Sequence, residues 1–122
     1  MNKQALILFA HGARSPSWAE PFERLQTIVQ AQLPDVRVTL AFLELMEPQL
    51  PQALADCAAD GVTEVSIVPV FLGQGGHVRR DLPLLVEQAR QQYPGMIIKV
   101  AEAAGEQQDV LQAIARYCIA RL

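Results

Sequence analysis

The chain is short of the residues that most chemistry depends on. Only two histidines and two cysteines occur among its 122 residues. Cys57 and Cys118 stand far apart and in no C-x-x-C pattern, which argues against a zinc ribbon or an iron–sulfur site. Each falls on the apolar stripe of an expected helix, so both read as buried free thiols. Arg and Lys are scattered, the net charge is −3 and the pI is about 5.3, so there is no basic footprint for nucleic acid. No apolar run approaches a membrane span, and the run after the opening MNKQ is too short for a signal peptide. These absences read as a cytoplasmic protein without a membrane partner. No G-x-S-x-G elbow is present, and neither cysteine shares a loop with a histidine.

What the chain does have is apolar residues, 51% of the total, enough for a real core in one domain over residues 1–122. Four strand-like runs, Gln4–Ala10, Val36–Leu43, Glu64–Phe71 and Met96–Ala101, alternate with four stripes of helical period. The stripes are Leu25, Ile28, Val29 and Leu33; Leu50, Ala53, Leu54, Cys57 and Ala58; Leu82, Leu85, Val86, Ala89 and Tyr93; and Leu111, Ile114, Ala115, Cys118 and Leu122. Pro34-Asp35, Asp60-Gly61 and Pro94-Gly95 close the first three helices. Asp81 is placed to cap the third, with Pro83 in its first turn. Strict alternation implies a parallel sheet with right-handed crossovers. The expected fold is α/β: a flavodoxin-like, four-stranded parallel sheet of order 2-1-3-4 with helices on both faces. The second run alternates apolar and polar residues, which places it in a partly exposed position.

The two histidines and one acid sit at matching points of successive β-α units. His11, Glu44 and His77 are separated by two equal intervals of 33 residues. Each follows an apolar run, so parallel strands would bring all three to one carboxyl edge, where open α/β sheets bind ligands. His11 ends a buried run, and Gly12 permits a sharp turn before Ser15 or Ser17 caps the next helix. Glu44, flanked by Leu43, Leu45 and Met46, would have a raised pKa if those residues wrap it; Glu47 competes for its role. In Gly73-Gln74-Gly75-Gly76-His77, glycines can bring backbone N–H groups to an anion at a helix start. Two imidazoles suit Fe²⁺, Co²⁺, Ni²⁺ or Zn²⁺ and leave coordination positions open. Taken residue by residue, a turn-shaping role and a functional one weigh equally for His11, a solvated acid is the plainer reading of Glu44, and for the glycine loop its place at this edge favours function over a flexible loop with a capping histidine.

Phe9-Ala10-His11-Gly12-Ala13-Arg14, Phe42-Leu43-Glu44 with Pro48, and Gly75-Gly76-His77-Val78-Arg79-Arg80-Asp81-Leu82-Pro83 together resemble the class II tetrapyrrole chelatases. The match is to the short CbiX-type sirohydrochlorin cobaltochelatases, with the sirohydrochlorin ferrochelatases close by, and it runs over essentially the whole chain. The resemblance implies insertion of a divalent metal, a substrate rather than a resident cofactor, into sirohydrochlorin without ATP. It implies that His11 and His77 hold the metal and Glu44 handles pyrrole protons. Arg14, Arg79 and Arg80 become plausible anchors for the substrate's carboxylates, beside the Gly75-Gly76 loop. Ala13 departs from relatives that carry a small hydroxyl residue there. Trp18 and Phe22 could flank the ring or pack the first helix. Longer relatives fuse two such domains, so a single one implies a homodimer enclosing the ring, with Leu45, Met46, Val78 and Leu82 as candidate wall residues. Two other readings stand beside this: a non-catalytic metal or tetrapyrrole carrier on the same fold, and a module binding a phosphate ligand through Gly73–Gly76.

Overall fold

The computed structural model describes residues 2–73 and 75–122. Four parallel strands, β1 (Gln4–Ala10), β2 (Arg37–Phe42), β3 (Glu64–Pro69) and β4 (Ile97–Val100), form one sheet of order β2-β1-β3-β4. The first strand ends where its sequence run ends; the other three are trimmed by one or two residues at the ends. Four helices alternate with them: α1 (Glu20–Gln32), α2 (Leu50–Ala59), α3 (Gly76–Gln92) and α4 (Gln108–Ile119). Short 3-10 turns at Pro16–Ala19 and Ala104–Glu106 lead into α1 and α4.

On one face of the sheet, α2 and α3 bury the main core. Leu50, Ala53, Leu54 and Cys57 of α2 and Val78, Leu82, Val86 and Ala89 of α3 close over Ile7, Phe9, Val65 and Ile67. Leu50 and Leu54 are essentially dry, and each contributes on the order of 2 kcal/mol by leaving water. Burial raises the Cys57 thiol above its ordinary pKa, so it is an inert core residue. Val78 and Leu82 thus belong to the core rather than to a cleft wall.

On the other face α1 covers β1 and β2. Phe22, Leu25 and Val29 pack on Leu8, Val38 and Leu40. Ile28, expected on this stripe, is 56% exposed. Gln26 and Gln30 hold the contact with the strand instead. The Gln26 amide donates to the Val38 carbonyl, the Gln30 amide donates to the Val36 carbonyl, and the Val38 N–H donates to Gln30 Oε1. These bonds occupy backbone groups of an edge strand that would otherwise invite another chain. Trp18 stacks against Phe22 at 4.7 Å between ring centroids and packs on the same cluster, so both aromatics pack α1.

Three further expectations fail. Ala19 precedes α1, and the Ser15 and Ser17 hydroxyls bond to each other at 3.0 Å instead of capping it. α3 starts at Gly76 with Gly75 in the cap position, so Asp81 lies in its second turn and caps nothing, and Pro83 falls inside the helix. α4 is amphipathic as read, but none of its residues is buried, and Cys118 is exposed. Period reveals a stripe; it does not reveal whether anything lies against it.

Candidate functional site

The loops that follow β1 and β2 are laced together by their backbones. Leu43 N–H donates to the Ala10 carbonyl at 2.9 Å, and Glu44 N–H donates to the His11 carbonyl at 3.1 Å. Gly12 has φ +97°, and a Cβ there would stand 1.8 Å from the Glu44 carbonyl oxygen. Only glycine allows this approach. His11 and Glu44 are therefore neighbours at the carboxyl edge because the two strands pair in register and a glycine lets their loops touch. Leu45, next along, takes φ +67°, an unusual value for a bulky residue.

The third loop closes on His11 from the other side. Val70 N–H donates to the Phe9 carbonyl at 2.8 Å, so β3 continues alongside β1 to its end. The Phe71 ring then packs on the His11 imidazole, with centroids 4.5 Å apart and the planes tilted by 40°. His11 is half-buried and its ring is held by this contact. Sequence reasoning did not single out Phe71. It lay in the Val68-Pro69-Val70-Phe71-Leu72 stretch that leads to the glycine loop and carries part of the resemblance, and it falls two residues beyond the end of β3.

His77 is the second residue of α3, with a side chain 60% exposed. Its Nε2 lies 3.2 Å from Asp81 Oδ2, one turn on. The pairing was legible as an i, i+4 spacing once the helix start is placed at Gly76. Among the described residues, no three His, Cys, Asp or Glu side chains converge closely enough to hold a metal ion. The chain thus brings His11 and Glu44 together in backbone, and does not close a three-ligand cage with His77.

Glu44 is exposed and Leu45 beside it is 56% exposed, so the apolar wrapping expected around this carboxylate is missing from the single chain. Glu47 is also exposed, and lines two grooves, one with Gln49, Gln52 and Asp56 on the α2 side and one with Glu23, Gln26 and Thr39 on the α1 side. Arg14, Arg79 and Arg80 are all exposed. Arg80 Nε donates back to the Gly76 carbonyl at 3.4 Å, while Arg79 lines a groove along α3 with Pro83, Arg90 and Val100. At Gly73, Gly75 and Gly76 a Cβ would meet nothing, so packing does not demand glycine in this loop. Gln74 lies outside the described residues.

The CbiX family model matches residues 5–119. A sirohydrochlorin cobaltochelatase of Methanopyrus kandleri is 34% identical over 82 residues, covering 67% of this chain and 57% of its own length. A crystal structure of a CbiX protein from Marinobacter aquaeolei VT8 superposes with a TM-score of 0.84 at 30% identity, covering 97% of this chain and 96% of that one. The sirohydrochlorin chelatase SirB of Bacillus subtilis subspecies spizizenii, solved in complex with cobalt, superposes with a TM-score of 0.80 at 25% identity, covering 93% of this chain and 49% of that one. The chain therefore spans little more than half of the curated relative, and about half of the cobalt-bound structure. No helix among the described residues is long and apolar enough to cross a membrane.

Proposed function

Because the chain belongs to the CbiX family, we propose that it is a metal chelatase, inserting Co²⁺ or Fe²⁺ into sirohydrochlorin without ATP. The observation that carries the proposal is the meeting of His11, Glu44 and Phe71 at one point of the carboxyl edge, through the Glu44-to-His11 backbone bond and the His11–Phe71 ring contact. Relatives that bind cobalt or are named for this reaction support it.

In this reading His11 and His77 present imidazole nitrogens to the divalent ion and fix it beneath the ring, so that orientation is supplied in advance. Phe71 holds the His11 plane. Insertion displaces two pyrrole N–H protons, and Glu44 takes them one at a time, passing the first to water before it accepts the second. Arg14, Arg79, Arg80 and the backbone at Gly75 and Gly76 meet the substrate's carboxylates; being exposed, these charges govern affinity in a salt-dependent way. The metal is substrate throughout and passes into the product. The reaction runs in the cytoplasm, on a homodimer whose two carboxyl edges face one another and shut water away from ion and ring. The second copy also supplies the apolar wall that Glu44 lacks in one chain.

The test is anaerobic mixing of the purified protein with sirohydrochlorin and Co²⁺, Fe²⁺ or Ni²⁺ in turn, with insertion followed by absorbance. Faster insertion than without protein is expected, and its loss in folded His11→Ala and His77→Ala variants. Binding of metal and tetrapyrrole with no acceleration would leave a carrier instead of an enzyme.

A further inference from the structure

Gly12 and Gly105 share a feature: at each, a Cβ would overlap the backbone of a neighbouring loop. Gly12 joins the loops that follow β1 and β2. Gly105 lies in the 3-10 turn after β4 and joins that turn to the loop after β3. A Cβ on Gly105 would stand 1.9 Å from the Leu72 carbonyl oxygen and 2.3 Å from the Leu72 Cα, so two backbones touch with no room for a side chain. Gly105 is buried, and its N–H donates to the Phe71 carbonyl at 3.0 Å.

This bond matters because Phe71 has left the sheet. β3 ends at Pro69, and the last strand-like bond it accepts from the β4 side runs from Ala101 N–H to the Ile67 carbonyl. Leu72 is 65% exposed, so its side chain does not moor the segment; its backbone, pressed on Gly105, does. The Phe71 ring meets buried Phe9 edge-on at 6.5 Å and lies against the His11 imidazole at 4.5 Å. Phe71 is thus wedged between a core ring and a site ring, and the Gly105 turn sets where its backbone stands.

We propose that Gly105 is a positioning residue for the His11 imidazole, acting through Phe71. The lone pair of a neutral imidazole nitrogen lies in the ring plane, so tilting the ring turns it away from an ion. Displacing the Phe71-Leu72 backbone moves the phenyl ring, and the imidazole lying on it tilts. Groups that orient a metal-holding residue from behind are worth about 10–100-fold in affinity or activity. Gly12 fixes the His11 main chain, and Gly105 fixes the plane of its ring. The inference rests on the chelatase reading only in giving His11 an ion to face; the coupling is a property of the folded chain.

The chain has only two histidines, so labelling histidine with ¹⁵N shows two imidazoles by NMR, and His77, 60% exposed on α3, is the internal control. At fixed pH, without metal or tetrapyrrole, Phe71→Leu removes the ring current and moves the His11 signals. Gly105→Ala is expected to move them the same way and to leave those of His77 in place. Insertion of Co²⁺ should slow about 10-fold or more in Gly105→Ala. Adding Phe71→Leu to it should cost no further rate, since both changes act on one ring. If Gly105→Ala does not fold, a two-glycine insertion after exposed Glu102 slackens the turn without a clash and is read in the same way. His11 signals unmoved in the folded variant, both histidines moving together, additive losses of rate, or failure of both altered turns to fold would each overturn the proposal. A His11 shift in a protein whose parent inserts no metal would uphold the coupling and sink the chelatase reading alone.

Discussion

Nε2 of His77 stands 3.2 Å from Oδ2 of Asp81, one turn along α3. A carboxylate on one imidazole nitrogen leaves the other to face a metal, and such partners tune metal sites strongly. Asp81→Ala should therefore lower the insertion rate about 10–100-fold while helicity is kept, and Asp81→Asn, which retains an acceptor, should lower it less. Steady-state insertion rates with Co²⁺ decide the matter. Equal rates for the alanine variant and the parent would show that His77 needs no such partner.

Glycines in this chain divide by what a Cβ would meet, and stability should divide with them. Gly12→Ala must accommodate a Cβ that would overlap the Glu44 carbonyl, at a φ of +97°. A loss of at least ~1–3 kcal/mol is expected from backbone strain alone, with displacement of the two loops. Gly75→Ala and Gly76→Ala meet open space and should cost little. Urea denaturation of the three variants checks the ordering.

The architecture was open to reading because it rests on period and punctuation. Apolar runs broken by Pro34-Asp35, Asp60-Gly61 and Pro94-Gly95 mark four β-α units, and the alternating pattern of the second run fits the edge place β2 occupies. The errors share one cause, which is that a residue's type does not reveal what faces it. Ile28 and Cys118 sit on sequence stripes whose facing surfaces are decided elsewhere: by the Gln26 and Gln30 amides on β2, and, for α4, by no packed partner among the described residues. Asp81 looked like a cap because the true cap position is held by Gly75, and glycine has no side chain to signal a helix start. The candidate site was legible as an edge, not as a geometry. The equal spacing of His11, Glu44 and His77 reports unit length; the Gly12 approach and the Phe71 contact, which tie the loops around His11, depend on register and turn conformation.

Acid should weaken the tie between the start of β1 and the end of α2. Asp60 accepts from Lys3 at 2.8 Å and pairs with Arg37 at 3.2 Å, and these bonds hold its carboxyl below the ordinary value. A depressed folded pKa means the contribution is present above the unfolded value and is lost as pH falls through the folded one. Asp60→Asn should thus be less stable than the parent at neutral pH. The gap should close as pH drops through and below the ordinary carboxylate range. Salt should narrow it too, because the groups are exposed. Thermal melts of both proteins across that range test the sign; a gap that widens in acid would contradict it.

Glu44 and Glu47 offer the sharpest division within the proposed site. Both are exposed in the single chain, but Glu44 is bonded through its backbone to His11, whereas Glu47 lies three residues further on and lines grooves toward both α1 and α2. A base must reach the proton it removes, either directly at about 3 Å or through one water. Its place beside His11 favours Glu44. Glu44→Gln keeps size and hydrogen bonding but removes the base, so kcat for insertion should fall about 10²-fold or more with metal affinity little changed. Glu47→Gln should leave kcat near the parent value. Loss of kcat without a matching rise in KM is the signature of an interaction made in the transition state. If Glu47→Gln shows the larger loss, Glu47 is the proton acceptor and the assignment of the acid to Glu44 is wrong.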